Sequence, residues 1–209
     1  LEFLVIAEGE ASSVLDIETA QLNEGTMEAT LIDGSFSIFP GYTLSGSVKY
    51  WDATQKPIEA LLTLNDLQEQ TSAVDTGAYA FAGLLDQQHT IKIEKFDDID
   101  DSIRAYDASL ILSHVLGTQT LTGSALASAD VTGDGSVSTQ DAAKIAEVAA
   151  GFETIPFPNQ ASAWRFEPAE RQFNSLTADF TTADFTGLFM GDVSGNWSGA
   201  GTASGEGLR

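Results

Sequence analysis

The twelve residues Asp130-Val131-Thr132-Gly133-Asp134-Gly135-Ser136-Val137-Ser138-Thr139-Gln140-Asp141 constrain this chain more than any other stretch of it. A loop that wraps Ca2+ needs oxygen ligands at positions 1, 3, 5, 7, 9 and 12, and a glycine at position 6 for the sharp turn. Those ligand positions hold Asp130, Thr132, Asp134, Ser136 (through its carbonyl), Ser138 (through a water) and Asp141, with Gly135 at the turn. Val137 at position 8 can enter a core. The three carboxylates favour a divalent over a monovalent ion, and an all-oxygen donor set suits neither zinc nor copper. A solvated Asp-Gly turn capping a helix through Ser138 is the competing reading. It accounts for single residues but not for the whole spacing.

The segment is duplicated. Ala108, Ile111, Leu112 and Val115 fall on one helical face that ends at Gly117, and Ala142, Ile145, Val148 and Ala149 do the same before Gly151. Ser102-Ile103, Asp107 and Gly117 recur as Ser136-Val137, Asp141 and Gly151, each 34 residues later. The first copy is degenerate: Phe96 stands at loop position 1 and Asp101 replaces the glycine. Its candidate ligands are Asp98, Asp100, Ser102 and Asp107, against a metal-free helix cap as the alternative. A further run, Asp192-Val193-Ser194-Gly195-Asn196, echoes Asp130 to Asp134 and offers oxygens at positions 1, 3 and 5. Lacking the sixth-position glycine and a distal carboxylate, it reads as a polar turn beside Trp197. A third site, or donation into the degenerate loop, is the alternative.

With 9 basic and 31 acidic side chains the net charge is −22, which repels phosphate backbones and anionic lipid and attracts divalent cations. Nucleic-acid binding is not expected. The absence of cysteine excludes disulfides and thiolate sites. His89 and His114, the only histidines, read as structural residues, and no phosphate loop or nucleophile elbow is present. Enzyme activity is not expected. No run approaches the ~20 apolar residues of a membrane span. Leu1 is not an initiator methionine, so a processed or partial chain is expected.

The rest of the chain reads as mainly β with a small α module. Residues 1–39 contain an apolar strand at Leu1 to Ala7 and two short strands around Asp33-Gly34. Residues 40–95 carry strands at Leu44–Tyr50, Ile58–Leu64, Tyr79–Phe81 and His89–Ile93, the spacing of a small β-sandwich. Residues 96–154 form the helical module. Residues 155–209 read as extended or short-strand structure with aromatic anchors, ending in a Gly-rich tail.

The duplicated loop-and-helix segments, 96–117 and 130–151, resemble a type I dockerin, the calcium-dependent module that docks onto cohesin. The resemblance implies Ca2+ as cofactor and no entering helix before Asp130. It also implies contact with a cohesin-like domain through Ala105, Tyr106, Thr139 and Gln140. Residues 44–95 resemble the Ig-like, carboxypeptidase-regulatory-like or X-module sandwiches that often precede dockerins. Residues 1–39 resemble the last strands of a cohesin-like domain. Burying Leu1, Phe3, Val5, Leu31 and Phe36 would contribute on the order of 8–15 kcal/mol, so these strands are expected to pair with an upstream part of the precursor or a neighbouring copy. The combination implies a non-catalytic, secreted or cell-surface docking protein. The alternative is a subunit of an extracellular filament, sheath or surface layer.

Overall fold

The computed structural model describes residues 11–15, 34–38, 41–99 and 101–199. Leu1, Phe3, Val5 and Asp100 lie outside the described residues, as do most of the expected cohesin-like strands and the Gly-rich tail. Strands β1 (Ala11–Leu15) and β2 (Gly34–Ile38) form an antiparallel two-stranded sheet.

The remaining strands build two four-stranded sheets. The first takes β3 (Tyr42–Tyr50), β6 (Ala78–Leu84), β8 (Trp164–Glu167) and β10 (Phe185–Phe189), in the order β6-β3-β10-β8. The second takes β4 (Leu61–Leu64), β5 (Gln68–Thr71), β7 (His89–Glu94) and β9 (Glu170–Phe173), in the order β5-β4-β7-β9. Every pairing is antiparallel except β10 with β3, which is parallel. Both sheets therefore join residues before the helical module to residues after it. The aromatic-rich segment beyond 155 supplies strands to the same sheets as residues 42–94.

Alternation explains the inward faces. Leu44, Val48 and Tyr50 of β3, Leu62 and Leu64 of β4, Ile91 and Ile93 of β7, and Phe185 and Phe189 of β10 are all buried. Gly46 is the exception that the packing requires, since a Cβ there would run into the backbone of Ala183. Trp197 is 1% exposed and lies edge-on to Trp164, with ring centroids 4.9 Å apart and 5.1 Å from the Tyr50 ring. His89 is buried, its Nδ1 3.1 Å from Asn65 Nδ2 and its Nε2 2.9 Å from the Leu85 carbonyl oxygen.

Three helices occupy the middle of the chain: α1 (Ala105–Val115), α2 (Gly123–Ala129) and α3 (Thr139–Ala149). Two expectations need correction here. A short helix, α2, does lead into Asp130. Its small, Ala-rich sequence has high helix propensity but no apolar stripe that would announce it. Secondly, Leu112 and Val115 remain 42% and 44% exposed, while α1 buries Asp107, Ala108, Leu110 and Ile111. The buried sector runs from Leu110 through Asp107 and Ile111 to Ala108; Leu112 lies beyond its edge, and Val115, although within it, is the last residue of the helix. Ile111 and Ile145 are fully buried, and Val148 is partly buried. Among the described residues, no helix is long and apolar enough to cross a membrane.

Candidate calcium-binding site

The loop before α3 is organised by its first and last carboxylates. Asp130 Oδ1 accepts from the backbone N–H groups of Gly133 and Asp134 at 2.9 and 3.2 Å, and its Oδ2 accepts from Gly135 N–H at 3.0 Å. Gly133 and Gly135 sit at φ +71° and +84°, a conformation glycine reaches without a Cβ clash. Val131 is 1% exposed and anchors the loop in the core. Gln160 Nε2 donates to the carbonyls of Asp130 and Val131 at 3.3 and 3.2 Å.

Asp141 closes the loop from the first turn of α3 and is fully buried. Its Oδ1 accepts from Thr132 N–H and Oγ1 at 3.0 and 2.9 Å, and its Oδ2 from Ser138 N–H and Oγ at 2.9 and 3.1 Å. Ser138 in turn accepts from Gln140 N–H at 3.1 Å, so the pair caps α3 reciprocally. A carboxylate in the first turn also faces the positive end of the helix dipole. Asp134 is exposed, and the Ser136 hydroxyl and N–H, donating at 2.7 and 2.9 Å, hold its carboxyl below the usual carboxylate range.

Asp130, Thr132, Asp134, Ser136, Ser138 and Asp141 therefore share one loop. Among the described residues, no three acidic or histidine side chains converge as a ready-made metal cluster. The carboxylates are instead solvated by the loop's own atoms, Asp130 by N–H groups alone and Asp134 and Asp141 by N–H and O–H groups. The donor set fits a hard divalent cation: three carboxylates, hydroxyls and a main-chain carbonyl, with no nitrogen or sulfur.

The degenerate loop is arranged differently. Lys95, its side chain 2% exposed, donates to Asp97 Oδ1 at 2.6 Å, to Asp98 Oδ2 and to the Glu59 carbonyl at 2.8 Å. That ammonium hydrogen bond holds the Asp97 carboxyl below its usual range. The Trp164 and Trp197 indole N–H groups donate to the carbonyls of Asp97 and Asp98 at 2.8 and 3.3 Å. Asp98, expected among the first loop's ligands, thus ion-pairs with Lys95. Ser102 and Asp107 are buried near the start of α1, where Asp107 Oδ2 accepts from Arg104 N–H at 2.9 Å.

Residues 192–196 form a polar turn beside Trp197, as expected, and the Asp192 carboxylate within it is fully buried. Oδ1 accepts from Gly195 and Asn196 N–H at 2.9 and 3.1 Å, and Oδ2 from Trp197 N–H and the Tyr50 hydroxyl at 2.7 Å each. Burial pushes the Asp192 carboxyl above its usual range; the Tyr50, Asn196 and Trp197 donors work against this, and the charge of Asp107 adds to it. The echo of Asp130–Asp134 was a usable sequence signal, and the turn does meet the degenerate loop: Ser194 N–H donates to Asp107 Oδ1 at 2.8 Å. Ala105, Tyr106, Thr139 and Gln140 are all exposed at the starts of α1 and α3.

Residues 98–147 match the sequence family described as the dockerin type I domain. No curated protein and no solved structure matches the chain significantly.

Proposed function

We propose that this chain is a non-catalytic, calcium-dependent docking protein whose paired helices present a surface to a cohesin-like domain. One observation carries the reading: residues 130–141 form a continuous all-oxygen loop whose closing carboxylate, Asp141, also caps α3. Calcium bound there through Asp130, Thr132, Asp134, Ser136, Ser138 and Asp141 would supply the positive charge that three crowded carboxylates lack. This chain's own residues do the rest. Asp141 couples loop closure to the start of α3, and Ile111 and Ile145 hold the helices in the core.

The docking surface in this reading is the outer face of the helix pair. On α1 it offers Ala105, Tyr106, Leu112 and the following Leu116, the last 76% exposed. At the positions 34 residues later it offers Thr139, Gln140, Ala146 and Ala150. Exposed aromatic and aliphatic side chains of this kind mark a protein-binding face. Titration of purified type I cohesin domains, with Ca2+ and with a chelator, tests the reading. Chelator-sensitive binding that Tyr106→Ala weakens at least tenfold is expected. Binding indifferent to chelation would remove calcium from the account.

A second reading rests on the two-stranded β1–β2 sheet. Two strands are marginal by themselves, and an open edge invites a strand from another chain. Residues 1–39 would then join an upstream segment or a neighbouring copy in an extracellular filament, sheath or surface layer. Size-exclusion chromatography with light scattering separates the readings: a monomer favours docking, a ladder of polymers favours assembly.

A further inference from the structure

Both four-stranded sheets are completed only after the chain has passed through the helices. Residues 42–94 supply β3 to β7, and residues 164–189 supply β8, β9 and β10. β10 takes an inner place in its sheet, between β3 and β8, and runs parallel to β3. Parallel neighbours need a long crossover, and the crossover here contains α1, α2 and α3. β9 in turn adds to the other sheet beside β7. The helical module is therefore an insert in the sheets rather than an appendage to them.

Hydrogen bonds seam the insert to the sheets in separate places. Where the chain enters and leaves, Ser162 Oγ donates to the Lys95 carbonyl and Trp164 Nε1 donates to the Asp97 carbonyl at 2.8 Å. The two ends of the insert are thus fixed side by side. Just beyond β10, Gly191 N–H donates to the carbonyl of Ser128 in α2 at 2.9 Å, and Ser128 is fully buried. Further along the same stretch, Ser194 N–H donates to Asp107 Oδ1 in the first turn of α1. Packing there is tight: a Cβ on Gly191 would meet the Phe157 ring at 3.0 Å and Ile103 Cδ1 at 3.1 Å. The buried apolar residues form one cluster, running from Leu62 and Ile91 in the sheets to Ile111 and Ile145 in the helices. A module that unfolds separately has a core of its own and few contacts across its boundary. Neither condition holds here.

We propose that helices and sheets unfold as one cooperative unit, so that calcium bound in the 130–141 loop stabilises the strands as well as the helices. The path between them is short. Asp130 follows directly on Ala129, the end of α2, and the preceding Ser128 is bonded to Gly191 at the end of β10. The exposed part of the loop can open locally, but α1 and α3 cannot unfold without the strands. A partner seated on the outer face of the helices then stabilises the sheets too, because it binds only the folded unit. The calcium half of this inference rests on the calcium reading of the loop, and the cooperative half does not.

Pulsed hydrogen exchange read by mass spectrometry, on the full chain along a urea series, tests both halves. Peptides from α1, α3, β4 and β7 each return their own unfolding midpoint. All four midpoints are expected to coincide in calcium, and chelator should lower them together. Ile145→Val in α3 should lower all four by about 0.5 M urea, and Ile91→Val in β7 should do the same. Helical midpoints that fall below the strand midpoints, with Ile145→Val or chelation moving the helical peptides alone, would overturn the single unit. Midpoints that shift together in both variants but ignore chelation would support the single unit and overturn calcium's hold on it, and with that the calcium reading of the loop.

Discussion

The helices α1 and α3 begin in the same way from different material. At α3 the capping carboxylate, the glycine turn and the first-position aspartate come from twelve consecutive residues. At α1 the carboxylate Asp107 meets a half-loop that begins 85 residues later, at Asp192. The hydrogen bonds are nonetheless equivalent. Chain continuity is therefore not what makes this loop; an Asp-x-x-Gly turn seated on an acid in the first turn of a helix is sufficient. What differs is burial. Asp130 is partly exposed, whereas Asp192 is sealed beneath Tyr50 and Trp197.

That difference sets the ranking of effects. In calcium-free buffer Asp192→Ala should cost about 3–5 kcal/mol, because it strands three backbone N–H groups and the Tyr50 hydroxyl near a core. Asp130→Ala should cost about 1 kcal/mol, since its amides can turn to water. Chemical denaturation of both variants checks the pair, and equal losses would break the comparison. Chelation comes next. Removing calcium present at a hundredfold excess over its dissociation constant should cost the native chain about 2.7 kcal/mol per occupied site. Hydrogen exchange should locate the loss in 130–141 before 192–197. Of Gly133 and Gly195, both at φ +71°, the second should cost more on replacement by Ala, about 2 against about 1 kcal/mol. A Cβ on Gly195 would lie 3.1 Å from the Trp51 ring, while on Gly133 it meets only Gln160 Nε2 at 4.0 Å. The smallest effect is a null one. Lys95→Met, made to release Asp97 and Asp98, should leave the calcium stoichiometry unchanged, and a gained equivalent would return Asp98 to the ligand set.

The continuous loop was readable because every donor sits in one run. So were the main strands, whose alternation survives in Leu44, Val48, Leu62, Ile91 and Ile93. Strand β5, Gln-Glu-Gln-Thr, carries no apolar alternation; it lies at the edge of its sheet, and three of its four residues are exposed. Asp98 was counted as a ligand because counting along the chain assumes that the local segment fills position 3. It ion-pairs with Lys95 in the structure, a contact that spacing does not reveal. The pairing of Asp192 with Asp107 depends on β10 running parallel to β3, a long-range choice that delivers residue 192 to the start of α1.

The central claim is that the 130–141 loop holds a calcium ion and thereby sets the start of α3. A calcium anomalous difference map from crystals grown in CaCl2 tests it most directly. A peak is predicted among Asp130, Asp134 and Asp141. A map flat at that position would contradict it.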